Sequence, residues 1–324
     1  MKQPYKKLMA LALIFSAVLS LFGCGPAKTP SGGGDKKLKI VATNFPPFDF
    51  ARQLAGELAD VTMLLSPGQE SHTFEPTPQD IIKIQQADIF IMGGGESDQW
   101  AKKLISSSQL DEGKTLFMVD CVETVPEELT EGMNHNHEEH ADEDHSGFYE
   151  YDEHVWTSPV NAMEICRKLT EKLIAADKAN EQAYTENLNR YLAQLEELDE
   201  SFAAAVERGV RKTLVFGDRF PFRYFADRYG LTYFAAFPGC SGETEPDAAT
   251  MKFLIDKVSE ENIPVVLHVE LSNQKIADAI CEATGAKKAL LHSCHGVTKD
   301  EFDRGETYVS LMKNNVDVLK EALS

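Results

Sequence analysis

Twice along this chain, short runs of β-branched and aromatic residues alternate with stretches of helical periodicity, and no other feature constrains the fold as strongly. The first series starts at Leu38 and reads KIVATNF, PFDFARQLAGEL, VTMLLS, PQDIIKIQQA, DIFIMGG, SDQWAKKLI and TLFMVD. The second starts at Thr213 and reads LVFGD, FRYFADRYG, TYFAAF, DAATMKFLIDKVSEE, VVLHVE, NQKIADAICEATG, KALLHS and ETYVSLMKNNVDVLKEAL. Continuous Val/Ile/Leu/Phe runs suit strands buried on both faces, and parallel strands need crossover helices of this length. Asn161 to Arg208, between the two series, contains neither Gly nor Pro and carries Leu188, Tyr191, Leu192, Leu195, Leu198 and Phe202 at helical spacing. The expected architecture is α/β, with two doubly wound parallel-sheet domains joined by a long helix. Ligands of such sheets sit beyond the carboxyl ends of the strands, so a site is expected in the cleft between the domains.

Local signals fill in the frame. Thr77 is placed to cap the helix of PQDIIKIQQA, with Pro78 in its first turn and Asp80 near the positive end of its dipole. Ahead of the first series, Lys2, Lys6 and Lys7 precede an apolar run from Leu8 to Phe22, too short to span a bilayer comfortably, which reads as a signal sequence. It ends in Leu21-Phe22-Gly23-Cys24, which resembles a bacterial lipobox, and that resemblance implies cleavage before a lipid-bearing Cys24. Residues 1–23 are the expected leader and 24–37, rich in Gly, Pro and Ser, the flexible tether. An N-terminal domain over 38–160, linking helices over 161–208 and a C-terminal domain over 209–324 complete the expected organisation. The formal charge of −20 becomes −23 without the leader, which excludes nucleic acid as a partner, restricts membrane contact to the anchor and suits cations.

The chemistry-bearing residues are mostly histidines. His72 stands in the turn-rich SPGQESHTFEPTPQDI, and His154 in YDEHVWTSPVNA, where Trp156 and Pro159 imply a packed position and Asp152 and Glu153 are placed to orient the ring. Asp218, Arg219, Glu270 and His292 fall at strand ends in the second series, whereas His268 lies within VVLHVE as a strand residue. His295 follows Cys294 and is a lesser candidate. Neutral imidazole is the commonest zinc ligand. The acidic segment 127–151 carries His135, His137, His140 and His145 without a core-forming pattern and is expected to be an accessory loop binding metal weakly.

His72-Thr73-Phe74-Glu75-Pro76-Thr77-Pro78 and the run from Asp152 to Ala162 resemble the first two metal-ligand motifs of the zinc and manganese solute-binding proteins of ABC transporters. The resemblance extends through Tyr224-Phe225-Ala226, Tyr229-Gly230-Leu231, Glu245-Pro246, Thr284-Gly285-Ala286 and Tyr308…Met312…Asn314-Asn315, nearly all of the mature chain. It implies a cleft metal site with His72 and His154 as ligands and His292 at the fourth ligand position. At the third, where the family has His or Glu, this chain has Arg219, which cannot ligate a cation. Glu270 is the first candidate to replace it, ahead of Glu243 and Asp218. Imidazole ligands favour Zn²⁺ over Mn²⁺, as does the histidine-rich loop of the family's zinc-binding members.

The resemblance further implies a disulfide between Cys240 and Cys294, while Cys121, Cys166 and Cys281 have no assigned pairing. The expected function is that of a monomeric, lipid-anchored protein on the outer face of a bacterial membrane that captures zinc for an ABC permease and its ATPase, without catalysis. A manganese-binding member of the class, a zinc-dependent hydrolase and a metal-buffering surface adhesin are the alternatives. The hydrolase lacks HExxH or any comparable catalytic signature in the sequence.

Overall fold

The computed structural model describes residues 37–70, 74–107, 109–133, 151–239 and 245–324. The leader, the tether up to residue 36, Cys24, His72, His135, His137, His140, His145, Cys240 and Glu243 lie outside the described residues. No helix among the described residues is long and apolar enough to cross a membrane.

The first lobe is built on strands β1 (Leu38–Ala42), β2 (Ala59–Met63), β3 (Ile89–Met92) and β4 (Thr115–Phe117), all parallel in the order β2-β1-β3-β4. Its helices are α1 (Phe45–Ala55), α2 (Pro78–Gln86) and α3 (Gln99–Ser106). β3 is buried at every position, as a central parallel strand covered on both faces must be. Thr77 and Asp80 form a reciprocal capping box, so the α2 start legible in the sequence is the observed one.

Two linking helices follow, α4 (Pro159–Ala176) and the 28-residue α5 (Glu181–Arg208). The second lobe repeats the first: β5 (Thr213–Phe220), β6 (Thr232–Pro238), β7 (Val265–His268) and β8 (Lys287–Leu290) form a parallel sheet in the order β6-β5-β7-β8. Its helices are α6 (Arg223–Tyr229), α7 (Ala248–Glu260), α8 (Lys275–Thr284), α9 (Lys299–Asp303) and α10 (Tyr308–Ala322).

Helix α5 packs on α4, on α1 of the first lobe and on α10 of the second. Its apolar stripe of Tyr191, Leu195, Leu198 and Phe202 is buried, which is why a strand-free stretch becomes a strut instead of a solvated rod. One continuous core joins both lobes through these helices, with Phe50, Trp156, Tyr308 and Phe225 among its fully enclosed side chains. Burying each such side chain contributes roughly 1.5–3 kcal/mol. Asp49, wholly buried on α1, accepts from the backbone N–H of Tyr308 at the start of α10 (2.8 Å) and pairs with Arg52 (2.7 Å). A carboxylate at a helix N-terminus is favourable, and this one ties the lobes together.

Candidate metal centre between the lobes

Beyond the carboxyl ends of both sheets lies a crevice whose walls come from Thr43 and Asn44 after β1, Gly93 after β3, Gly239 after β6 and Glu270 after β7. His154 sits at its base with no exposed surface. One oxygen of Asp152 accepts from the backbone N–H of His154 (2.8 Å) and lies 2.9 Å from its Nδ1. That contact protonates Nδ1 and puts the lone pair on Nε2, the arrangement a metal-binding imidazole needs. Asp152 is itself fixed, its N–H donating to Val125 O (2.9 Å) and its carbonyl accepting from the Tyr224 hydroxyl (2.7 Å). Gly239 presses on the ring: a Cβ there would stand 3.1 Å from His154 Cε1 and 3.0 Å from Phe220 O, so a bare backbone is what fits.

The opposite wall is the loop after β8. Glu270 organises it by accepting from Ser293 N (2.7 Å), Ser293 Oγ (2.7 Å) and Gly296 N (3.3 Å), while Trp156 Nε1 donates to Ser293 O (2.9 Å). Between these anchors Cys294 adopts φ 61°, a left-handed conformation costly for a residue with a Cβ and held here by the surrounding bonds. The turn drops Cys294 into the core and brings His295 beside His154, ring centroids 5.1 Å apart, with Trp156 also 5.1 Å from His295.

A third donor completes the group. Glu153 receives the backbone N–H of Ser97 at 3.1 Å and its hydroxyl at 2.5 Å, and packs so closely on Gly95 that a Cβ there would fall 2.0 Å from its Oε2. Ligand atoms of Glu153, His154 and His295 all lie within 4.8 Å of one another, the one such group among the described residues. One cavity reaches Glu153 and His295 from the side of the first sheet. A second reaches His154 and His295 from the side of the second sheet, past Glu70, Arg219 and Glu270.

Burial opposes a charge on His154, but Asp152 and then Glu153 outweigh it and raise its pKa above the ordinary value. Burial also pushes neighbouring Asp98 up to about 7, partly offset by the N–H of Gly94 and reinforced by Glu153. With the folded pKa raised, stability is present below the unfolded value of roughly 4 and is lost as pH rises towards about 7. Asp98→Asn keeps an acceptor for Gly94 and removes the charge. Its melting temperature is expected to rise relative to the parent most at pH 8 and distinctly less at pH 5, as calorimetry at the two pH values will read.

The structure gives several expected site residues other work. His292 is absent from the donor group: its Nδ1 accepts from Cys294 N (2.9 Å), its Nε2 lies 3.6 Å from Glu301, and Asn315 brackets its backbone at N (2.8 Å) and O (2.8 Å). Glu270 lines the crevice, but its oxygens are spent on the loop that presents His295. Asp218 is held by the N–H groups of Arg219 (2.8 Å) and Val269 (3.1 Å). Cys294 is a free thiol directed into the core by its left-handed backbone, and Cys240, its expected bridge partner, lies outside the described residues. His268 is a strand residue of β7, its Nδ1 3.0 Å from Val269 O. His295, a lesser candidate in the sequence, is the histidine that lies within ligand reach of His154. The one local signal was its place in the turn-prone Ser-Cys-His-Gly.

Comparison with known proteins identifies the family. The family model described as "Zinc-uptake complex component A periplasmic" matches residues 40–322. The chain is 31% identical over 321 residues to the high-affinity zinc uptake system protein ZnuA of Bacillus subtilis, covering 98% of each. It is 30% identical to the zinc-binding lipoprotein AdcA of Streptococcus pneumoniae, covering 97% of this chain and 61% of that longer protein. The crystal structure of the Zn(II)-bound ZnuA-like domain of that AdcA superposes with a TM-score of 0.73 at 29% identity, over 89% of this chain and 99% of that one. Paired parallel sheets, a long linking helix and imidazoles facing one another across the crevice are thus accompanied by likeness over almost the whole length, and the chain belongs to the ZnuA family of zinc-uptake components.

Proposed function

We propose that this protein captures Zn²⁺ outside the cytoplasm and delivers it to an ABC permease driven by an ATPase, catalysing no reaction itself. The observation that carries the reading is the facing pair His154 and His295, supplied by opposite walls of the crevice with Glu153 in ligand reach. His72, two residues beyond Glu70 in the sequence, joins them as the third imidazole, and a nitrogen-rich set favours zinc over manganese. Lobe closure around the ion and release on docking to the permease fit two sheets joined by a strut. The organisation is that of the sequence: leader 1–23, Cys24 as lipid anchor, tether 24–37, lobes over 38–160 and 209–324, and a monomer on the outer membrane face. His135, His137, His140 and His145 serve as an accessory, weaker zinc loop. A strain lacking the gene is expected to need added zinc for growth. Rescue by the wild-type chain but not by His154→Ala supports the reading, and zinc-independent growth of the deletion strain overturns it.

Asp152→Ala is expected to weaken zinc binding about 10–100-fold while leaving the ligands in place, as removal of an outer partner of a metal-bound histidine does. Competition titration with a chromophoric chelator measures it. Because the pKa of His154 is raised, protons compete with zinc at a higher pH than they do at an exposed histidine. Apparent affinity is expected to fall as the pH drops through that raised value, and the slope should flatten in Asp152→Ala.

A further inference from the structure

A guanidinium lines the cavity that leads to His154 and His295, where a second positive charge works against a cation. Arg219, at the far end of β5, has its Nη2 3.0 Å from Oε2 of Glu70, which lies in the connection after β2. The pair therefore spans the two lobes at the rim of the crevice. The other carboxylates of the region are committed. Both oxygens of Glu270 serve Ser293 and Gly296 and both of Asp218 receive backbone N–H groups, while Glu153, which receives Ser97, already belongs to the donor group. Glu70 meets Arg219 at the rim of the crevice, and its side chain is 37% exposed, against 5% for Glu270.

We infer that Glu70 is a ligand shared between two cations: Arg219 holds it in the metal-free protein, and the incoming ion takes it over, so that Arg219 sets the affinity by competing with the metal. This rests on the zinc-binding reading above. Removing Arg219 takes a competing cation from Glu70 and eliminates a like charge beside the ion, both of which strengthen metal binding. Removing the charge of Glu70 takes one neutralising carboxylate from Arg219, which then repels the ion more strongly. Because the two side chains come from different lobes, the exchange also breaks one interlobe contact as another forms through the metal.

The test is Zn²⁺ titration of the purified full-length chain against a competing chelator, for the parent, Arg219→Gln, Arg219→Lys, Glu70→Gln and the double variant. Arg219→Gln is expected to bind zinc about tenfold more tightly, Arg219→Lys to stay near the parent, and Glu70→Gln to bind about 10–100-fold more weakly. In the Glu70→Gln background the gain from Arg219→Gln should shrink, since there is no carboxylate left to compete for. Unchanged or weaker binding by Arg219→Gln, or unchanged binding by Glu70→Gln, overturns the inference while the zinc site stands. A parent chain that binds no zinc overturns the zinc reading and this inference with it. Melting curves of all variants separate lost binding from lost folding.

Discussion

Replacing His154 by Ala is expected to lower zinc affinity by more than the roughly 10–100-fold that follows loss of an outer partner, while the fold survives. The reason is that His154 is the one donor fixed from every side: Asp152 sets its tautomer, Tyr224 holds Asp152, and Gly239 closes over the ring. No neighbour can move into its place, since Glu153 is bound to Ser97 and His295 comes from a loop braced by Glu270. The truncation leaves a cavity and an Asp152 carboxylate deprived of one donor, so some stability is lost as well, about 1–3 kcal/mol. Chelator competition reads the affinity and thermal melting the stability. Retention of parental zinc affinity in His154→Ala sinks the assignment of the crevice as the metal site.

The second large effect is a contrast between two histidines three residues apart. His295→Ala is expected to lose zinc affinity at least as severely as Asp152→Ala, roughly 100-fold, with little change in melting temperature. His292→Ala is expected to do the reverse. Its Nδ1 satisfies the Cys294 N–H at the left-handed turn, and its ring is buried between Glu270 and Glu301. Losing that acceptor costs about 1–3 kcal/mol and slackens the loop, with only a secondary effect on zinc. If His292→Ala abolishes binding and His295→Ala does not, the ligand lies where the family resemblance alone would put it, and the loop must rearrange when the metal arrives.

These two experiments mark the boundary of what the sequence discloses. Periodicity alone gave both series of strands and helices, because buried parallel strands and amphipathic helices leave repeating patterns that no distant contact is needed to read. The start of α2 at Pro78 was equally legible, since a capping box is a local hydrogen-bonding arrangement among Thr77, Pro78 and Asp80. His154 could be singled out for a related reason: Asp152, its orienting partner, is two residues away in the chain.

The choice between His292 and His295 could not be made in this way. Both lie in one short loop, and the direction each ring takes depends on the φ of Cys294, which is imposed by Glu270, Trp156 and Asn315 from three other parts of the chain. The same holds for Cys294, whose thiol follows that backbone into the core, and for Glu270, whose strand-end position suggested a ligand but whose oxygens are claimed by a loop more than twenty residues later. Glu70 carried no sequence signal, because its meeting with Arg219 joins residues 149 positions apart. The sequence by itself determined the two-sheet architecture, the linking strut, the cationic preference and the anchoring of His154, all of which arise from local periodicity, charge or neighbours in the chain. Tertiary structure decided which imidazole faces His154, which carboxylates are committed and where Arg219 rests, because those outcomes depend on backbone turns and contacts that exist only once the lobes are packed together.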